Sequence, residues 1–114
     1  MVTLFGIPNC DTVRKARRWL EQNQVNYVFH DFRQDGINAE LLERWFKKAD
    51  WTIVLNQRSR TWRELSDSDK TDLSAEKAIK IMLQNPSIIK RPVLATGVEL
   101  AIGFDENEYR KLLT

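Results

Sequence analysis

Cysteine and histidine each occur once in this 114-residue chain, as Cys10 and His30. A single cysteine excludes a disulfide within the chain, and one of each falls short of the roughly three or four Cys and His ligands of a zinc site. Glycine and proline are scarce, at four and three, which argues against a collagen-like, low-complexity or disordered chain. No apolar run approaches the ~20 residues that span a bilayer. The opening MVTLFGIPNC has neither the basic leader nor the long apolar stretch of a secretory signal, so residence in the cytoplasm is expected. Lys and Arg total 18 against 16 Asp and Glu, a net charge of +2. That field is too weak to point to a nucleic acid or a membrane as partner. What is present is 42% apolar and 10% aromatic residues, enough for one domain that buries roughly two-thirds of its unfolded surface.

Residues 2–7 alternate and favour strand, and Pro8-Asn9 ends them in a turn. From Asp11, Val13, Ala16 and Leu20 recur at helical spacing, with Trp19 widening the stripe and Arg14, Lys15, Arg17 and Arg18 on the remaining circumference. Those four cations read as a solvated helix face, because no base-stacking aromatic is interleaved with them. Residues 27–32 alternate again, as a second strand. A crossover of this length places two strands parallel. Asp35-Gly36 marks the exit turn. Asn38 caps a helix carrying Leu41, Leu42, Trp45 and Phe46, and short helical pieces are predicted over 51–55 and 61–65. A longer one opens at Ser74, with Ala75, Ala78, Ile79, Met82 and Leu83 as its stripe, and stops at Asn85-Pro86. Residues 88–95 lead into a third strand, Gly97 turns the chain into a fourth over 99–102, and Asp105 caps a last helix bearing Tyr109, Leu112 and Leu113. The sum is an α/β fold: β-α-β, a helical insert over about 38–85, then β-β-α, in one domain over 1–114 with a mixed four-stranded sheet.

Cys10 stands where the first strand turns into the first helix. A helix front presents unpaired N–H groups and partial positive charge, and both favour thiolate over thiol. Arg14, one turn on, adds a cation within reach of the sulfur. The thiolate is the nucleophilic form. A lone cysteine also serves elsewhere as a small buried apolar residue, but Pro8, Asn9, Asp11 and Thr12 make polar, turn-forming neighbours that suit a site better than a core. Asn9, Asp11 and Thr12 are therefore candidate site residues, each able to cap the helix or touch the thiol. Val13 occupies the position where a resolving cysteine would stand, so the resolving thiol must come from outside. Glutathione is the simplest donor for a one-sulfur cycle in a reducing compartment.

The segments TLFGIPNCDTVRKARRWLE, YVFHDFR, LNQRSRTWREL and PSIIKRPVL resemble the arsenate-reductase-like (ArsC/Spx) family of thioredoxin-fold proteins, most closely its YffB-like branch. The resemblance covers nearly the whole chain. It implies a thioredoxin-like fold with Cys10 as reactive cysteine, Arg91 as the basic residue before a cis-proline at Pro92, and Arg58 as the arginine kept in the insert. The family contains arsenate reductases and a transcriptional regulator that binds RNA polymerase. For this chain it implies a thiol-dependent oxidoreductase with glutathione as co-substrate and no bound cofactor or metal. Glutaredoxin is an implied partner, and the RNA polymerase α-subunit is the partner on the regulator reading. Arsenate reduction coupled to glutathione and glutaredoxin is the alternative enzymatic reading; against it stand Asn56, where the reductases carry an arginine, and Gly103-Phe104-Asp105, where they carry another. A compact oxyanion needs several guanidinium forks at once. Arg58 and Arg91 instead suit one carboxylate each, as on a tripeptide with two. Arg60 and Arg63 read as exposed or acid-paired charges.

Overall fold

The structure, a computed structural model, describes all 114 residues. In chain order the elements are β1 (Val2–Gly6), α1 (Asp11–Gln22), β2 (Tyr27–Asp31), α2 (Phe32–Asp35), α3 (Ala39–Phe46), α4 (Trp51–Val54), α5 (Arg60–Glu64), α6 (Asp67–Lys70), α7 (Ala75–Gln84), a 3-10 turn (Pro86–Ile88), β3 (Val93–Ala95), β4 (Leu100–Ile102) and α8 (Glu106–Leu113). They form two compact units, residues 1–36 with 91–114, and residues 37–90. The insert therefore runs to Lys90, beyond the expected boundary near residue 85.

In the first unit the sheet order is β2-β1-β3-β4. β1 pairs parallel with β2, and antiparallel with β3, which pairs antiparallel with β4. This is the mixed sheet and β-α-β/β-β-α order that a thioredoxin-like fold requires. Leu4, Ala16, Trp19, Leu20, Leu94, Ala101 and Tyr109 form its core, so the stripe expected on α1 is the face that is buried. Full burial of each of the larger side chains stabilises by about 1.5–3 kcal/mol before entropy is counted. Tyr109 meets Trp19 edge-on at 5.9 Å and Phe104 at 5.0 Å. Its hydroxyl donates to the Gly103 carbonyl at 2.7 Å.

Burial pushes the Tyr109 phenol well above its ordinary value of 10.0. The neutral form is the one the fold accepts, so this contribution is complete below about pH 10 and is lost as pH rises beyond it. Tyr109→Phe should cost about 1–3 kcal/mol at pH 7, because a buried carbonyl loses its partner. It should also flatten the alkaline fall in stability. Urea unfolding at pH 7 and above pH 10 measures both, and an alkaline fall unchanged by the substitution would remove Tyr109 as its source.

In the second unit α3 packs on α7, and the segments around Leu55 and Ile89 meet in an antiparallel bridge. Lys90 N–H donates to the Val54 carbonyl at 2.9 Å, and Asn56 N–H to that of Ile88 at 2.7 Å. The buried face of α7 is Ala78, Ile81 and Met82. Ile81 replaces the expected Ile79 and Leu83 there, and Leu83 is exposed. Two adjacent apolar stripes fit this sequence, and packing selects one of them. Trp45 is buried as expected, whereas Trp51 is only half-buried.

Two short helices, α2 and α6, were not foreseen. Neither is long enough to show a period, but both carry capping signatures. Asp31 accepts from Arg33 N–H at 2.9 Å while its own N–H donates to Asp35 at 3.0 Å, which also ends β2 one residue early. Ser66 accepts from Asp69 N–H at 3.3 Å and its hydroxyl donates to the Asp69 carboxylate at 2.9 Å. Such reciprocal pairs nucleate single turns. No helix is long and apolar enough to cross a membrane.

Candidate active site around Cys10

α1 starts where it does because the chain cannot remain extended past Pro8-Asn9, and because Gly6 allows the helix to approach. A Cβ built on Gly6 would lie 2.8 Å from Val13 Cγ2, so the first turn of α1 rests directly on the end of β1. Glycine inside a strand is the sequence mark of such an approach. Its positional role escaped the reading of the sequence.

Cys10 is the N-cap residue, with φ −144° and ψ 125°, and its thiol makes no capping hydrogen bond. Its carbonyl accepts the first helical bond, from Arg14 N–H at 2.9 Å. The other seven α-helices all begin with an Asp, Asn or Ser whose oxygen takes a first-turn N–H: Asp31, Asn38, Asp50, Ser59, Ser66, Ser74 and Asp105. At α1 the same donors are left to the half-buried sulfur, or to a ligand beside it.

Arg14 folds back over this turn. Its Nη2 lies 3.0 Å from Asp11 Oδ1 and 3.5 Å from Asn9 Oδ1, and its side chain is 47% exposed. Asn9, Asp11 and Arg14 thus form one exposed cluster around the Cys10 backbone, and Asp11 shares the cation expected to serve the sulfur. Thr12 is exposed in the first turn of α1. The Arg91–Pro92 peptide bond is cis, as expected. Pro92 is buried, Arg91 half-buried, and the Pro92 carbonyl accepts from Gly103 N–H at 2.8 Å. Phe5 pairs with Val93. Continuing that antiparallel register brings Pro92 and Arg91 to the Gly6 end of β1, the end from which Cys10 departs.

Arg58 belongs to the second unit. Its N–H donates to Asn56 Oδ1 at 3.1 Å, and its carbonyl accepts from Arg63 Nη2 at 3.1 Å. Arg60 pairs with Glu64 at 3.0 Å, the acid-paired state expected of it. His30 donates from Nε2 to the Gly36 carbonyl at 2.7 Å, with its ring 4.7 Å from that of Phe5. It holds the turn after β2.

Residues 5–112 match the model of the ArsC family. The solved YffB protein is 44% identical over the whole of both chains, with a TM-score of 0.97. An arsenate reductase related protein from Brucella melitensis is 41% identical over 96% of this chain and 92% of its own, with a TM-score of 0.77. Among curated relatives, the global transcriptional regulator Spx of Streptococcus mutans is 34% identical over 99% of this chain and 83% of that protein.

Proposed function

The chain belongs to the ArsC family, and from that premise we propose that it is a glutathione-dependent thiol–disulfide or small-oxidant reductase acting through Cys10. The observation that carries the reading is the front of α1, where a thiol stands at the one α-helix start that no side-chain oxygen caps.

On a disulfide substrate the cycle consists of three thiol–disulfide exchanges. The Cys10 thiolate attacks one sulfur, the substrate S–S bond breaks, and the departing thiolate takes a proton from solvent. A first glutathione thiolate then displaces the second substrate thiol, which leaves Cys10 joined to glutathione. A second glutathione attacks the glutathione sulfur, releasing glutathione disulfide and the Cys10 thiolate. The substrate gains two electrons and two glutathiones lose them. The N–H groups of Asp11, Thr12 and Val13 and the helix dipole stabilise the thiolate, both as attacker and as leaving group. Arg14 and Arg91 attract the carboxylates of glutathione, Asn9 helps hold Arg14, and Pro92 fixes the backbone at the end of β3. The setting is the reducing cytoplasm, with glutaredoxin as an alternative resolving thiol.

Incubation with glutathione disulfide should give one glutathione adduct per chain, reversed by excess glutathione and detected by intact-mass spectrometry. Absence of the adduct at neutral pH removes the mechanism. Asp11→Asn should speed adduct formation about two- to fivefold, since it deletes the nearest negative charge and frees Arg14. The same change should cost roughly 0.3–1 kcal/mol by removing an acid from the first turn of α1. A rate unchanged or lowered would show that Asp11 does not restrain Arg14. Arsenate should be a poor substrate, because Asn56 and Gly103-Phe104-Asp105 stand where the reductases place guanidinium groups.

The likeness to Spx supports a second reading, a module that binds the RNA polymerase α-subunit. Retention of that subunit by both wild type and Cys10→Ser favours the binding module over the enzyme.

A further inference from the structure

The sheet has two edges, β2 and β4, and they differ. β4 is three residues long and ends at Gly103, too short to invite pairing with another chain. β2 pairs with β1 along five consecutive residues without a bulge. Its sequence, Tyr27-Val28-Phe29-His30-Asp31, holds no lysine or proline, the residues that commonly blunt an edge. At its two ends the backbone turns away from β1: the Val25 N–H donates to the Leu20 carbonyl at 2.9 Å, and the Asp31 N–H to the Asp35 carboxylate at 3.0 Å. Strand alternation sends the backbone groups of Tyr27 and Phe29 to the same outer side. No hydrogen bond within the chain uses them there. Val28 is 49% exposed on one face of the strand. On the other face, the Arg17 guanidinium lies 4.1 Å from the centre of the Phe29 ring. Arg17 Nε donates to the Tyr27 hydroxyl at 3.1 Å, and that hydroxyl donates to Glu21 at 2.7 Å. A cation thus stands beside Phe29 and an anion beside Tyr27.

We propose that β2 is the contact edge of a homodimer, in which a second copy of this chain adds its own β2 antiparallel across a two-fold axis at Val28. The register follows from which groups are free. Tyr27 and Phe29 exchange N–H···O=C bonds with Phe29 and Tyr27 of the second copy. A register centred on Phe29 would instead oppose Tyr27 to Asp31, whose outer N–H Asp35 already occupies. Val28 then faces Val28 in the closer, non-hydrogen-bonded pair, where β-branched side chains suit each other and cover surface that water otherwise wets. Across the seam Phe29 stands beside Tyr27 of the second copy, so Arg17 of each chain meets Glu21 of the other. An unrelated strand satisfies the backbone groups as well, but a second copy also returns an acid to each arginine, and the contact complements itself twice. A ladder this short buries less than the roughly 800 Å² per partner of a standard stable interface. The dimer is therefore weak and reversible, with Kd between about 10 μM and 1 mM. Cys10 takes no part in it.

Sedimentation equilibrium of the wild-type chain under reductant, across about 10 μM to 1 mM, should show the average mass rising reversibly from that of one chain towards that of two. Val28→Lys, at a position already exposed, sets like charges opposite each other and should weaken the dimer about tenfold or more. Glu21→Lys should weaken it about fivefold, because two exposed ion pairs are lost together. Combining Arg17→Glu with Glu21→Lys should restore it. In a Cys10→Ser background, Val28→Cys should cross-link when oxidised with diamide, more so as concentration rises. Val98→Cys, which replaces a valine 71% exposed in the turn before β4, should stay monomeric under the same oxidation. Circular dichroism reports the fold of each variant. The proposal is overturned by a chain that remains monomeric to the top of that range, or by a dimer indifferent to Val28→Lys. It is equally overturned by a Glu21→Lys effect that the second charge change does not reverse, or by Val98→Cys cross-linking as readily as Val28→Cys. Because the first assays run under reductant and the last without Cys10, none of these outcomes bears on the reductase reading.

Discussion

Cys10→Ser should abolish glutathione adduct formation completely and, in the same protein, raise the stability of the fold. The first effect follows from chemistry: a hydroxyl does not exchange with a disulfide. The second follows from the N-cap. Serine is among the preferred N-cap residues, and a good cap is worth about 0.5–2 kcal/mol over a residue that cannot accept. Cys10 already has the extended backbone of a cap, with φ −144° and ψ 125°, so the serine oxygen needs no rearrangement to reach a first-turn N–H. A thiol caps weakly, which leaves an expected gain of about 0.5–1 kcal/mol. At roughly 4–8 °C per kcal/mol for a domain near this size, thermal melting resolves it. The combination separates a functional cysteine from a structural one. If Cys10 were there for packing, its replacement by a more polar residue would lower the melting temperature. A fold that holds a suboptimal cap at one helix, with Asp, Asn or Ser at seven others, has given up stability at the point where the chemistry is proposed.

The first unit was legible because its signals are local and redundant. Val13, Ala16 and Leu20 carry the helical period, and all three are buried. Asp105 was readable as a cap, as were Asn38 and Ser74 in the second unit, and each accepts a first-turn N–H. The position of Cys10 followed from the same signals, since a strand, a Pro-Asn turn and a stripe fix a helix start to within a residue. What sequence could not give was the outcome of competition. Ile79, Leu83 and Ile81 all suit an apolar face of α7, and only packing chooses Ile81. Arg14 has an acid three residues before it as well as a sulfur, and the acid takes it at 3.0 Å. Lys90, overlooked beside Arg91 in sequence, joins the same cleft as Arg58 because the bridge between Leu55 and Ile89 brings residues far apart in the chain together. Pairings of that separation leave no periodic trace.

Gly6→Ala tests whether the approach of helix to strand, rather than the cysteine alone, sets the site. The added Cβ meets Val13 Cγ2 at 2.8 Å, a separation that real side chains do not hold, and Val13 is fully buried. Overpacking of this kind costs about 1–3 kcal/mol. The strain is relieved by lifting the first turn of α1 from β1, which carries Cys10 away from the sheet end where Arg91 and Pro92 stand. Gly6→Ala should therefore lose stability and slow adduct formation together. Val13→Ala alone leaves the Gly6 position untouched but empties two methyl volumes, at roughly 1.5–3 kcal/mol. In the double variant one methyl partly fills the space the others vacated. Its destabilisation should fall short of the sum of the single changes by about 1–2 kcal/mol, and its rate of adduct formation should return towards that of wild type. Urea unfolding supplies the cycle and intact-mass kinetics the rates. Strict additivity would mean that α1 does not rest on Gly6. A rate that stays normal in Gly6→Ala despite lost stability would mean that the sulfur works wherever the helix front goes, and that Arg91 and Pro92 have no part in the chemistry.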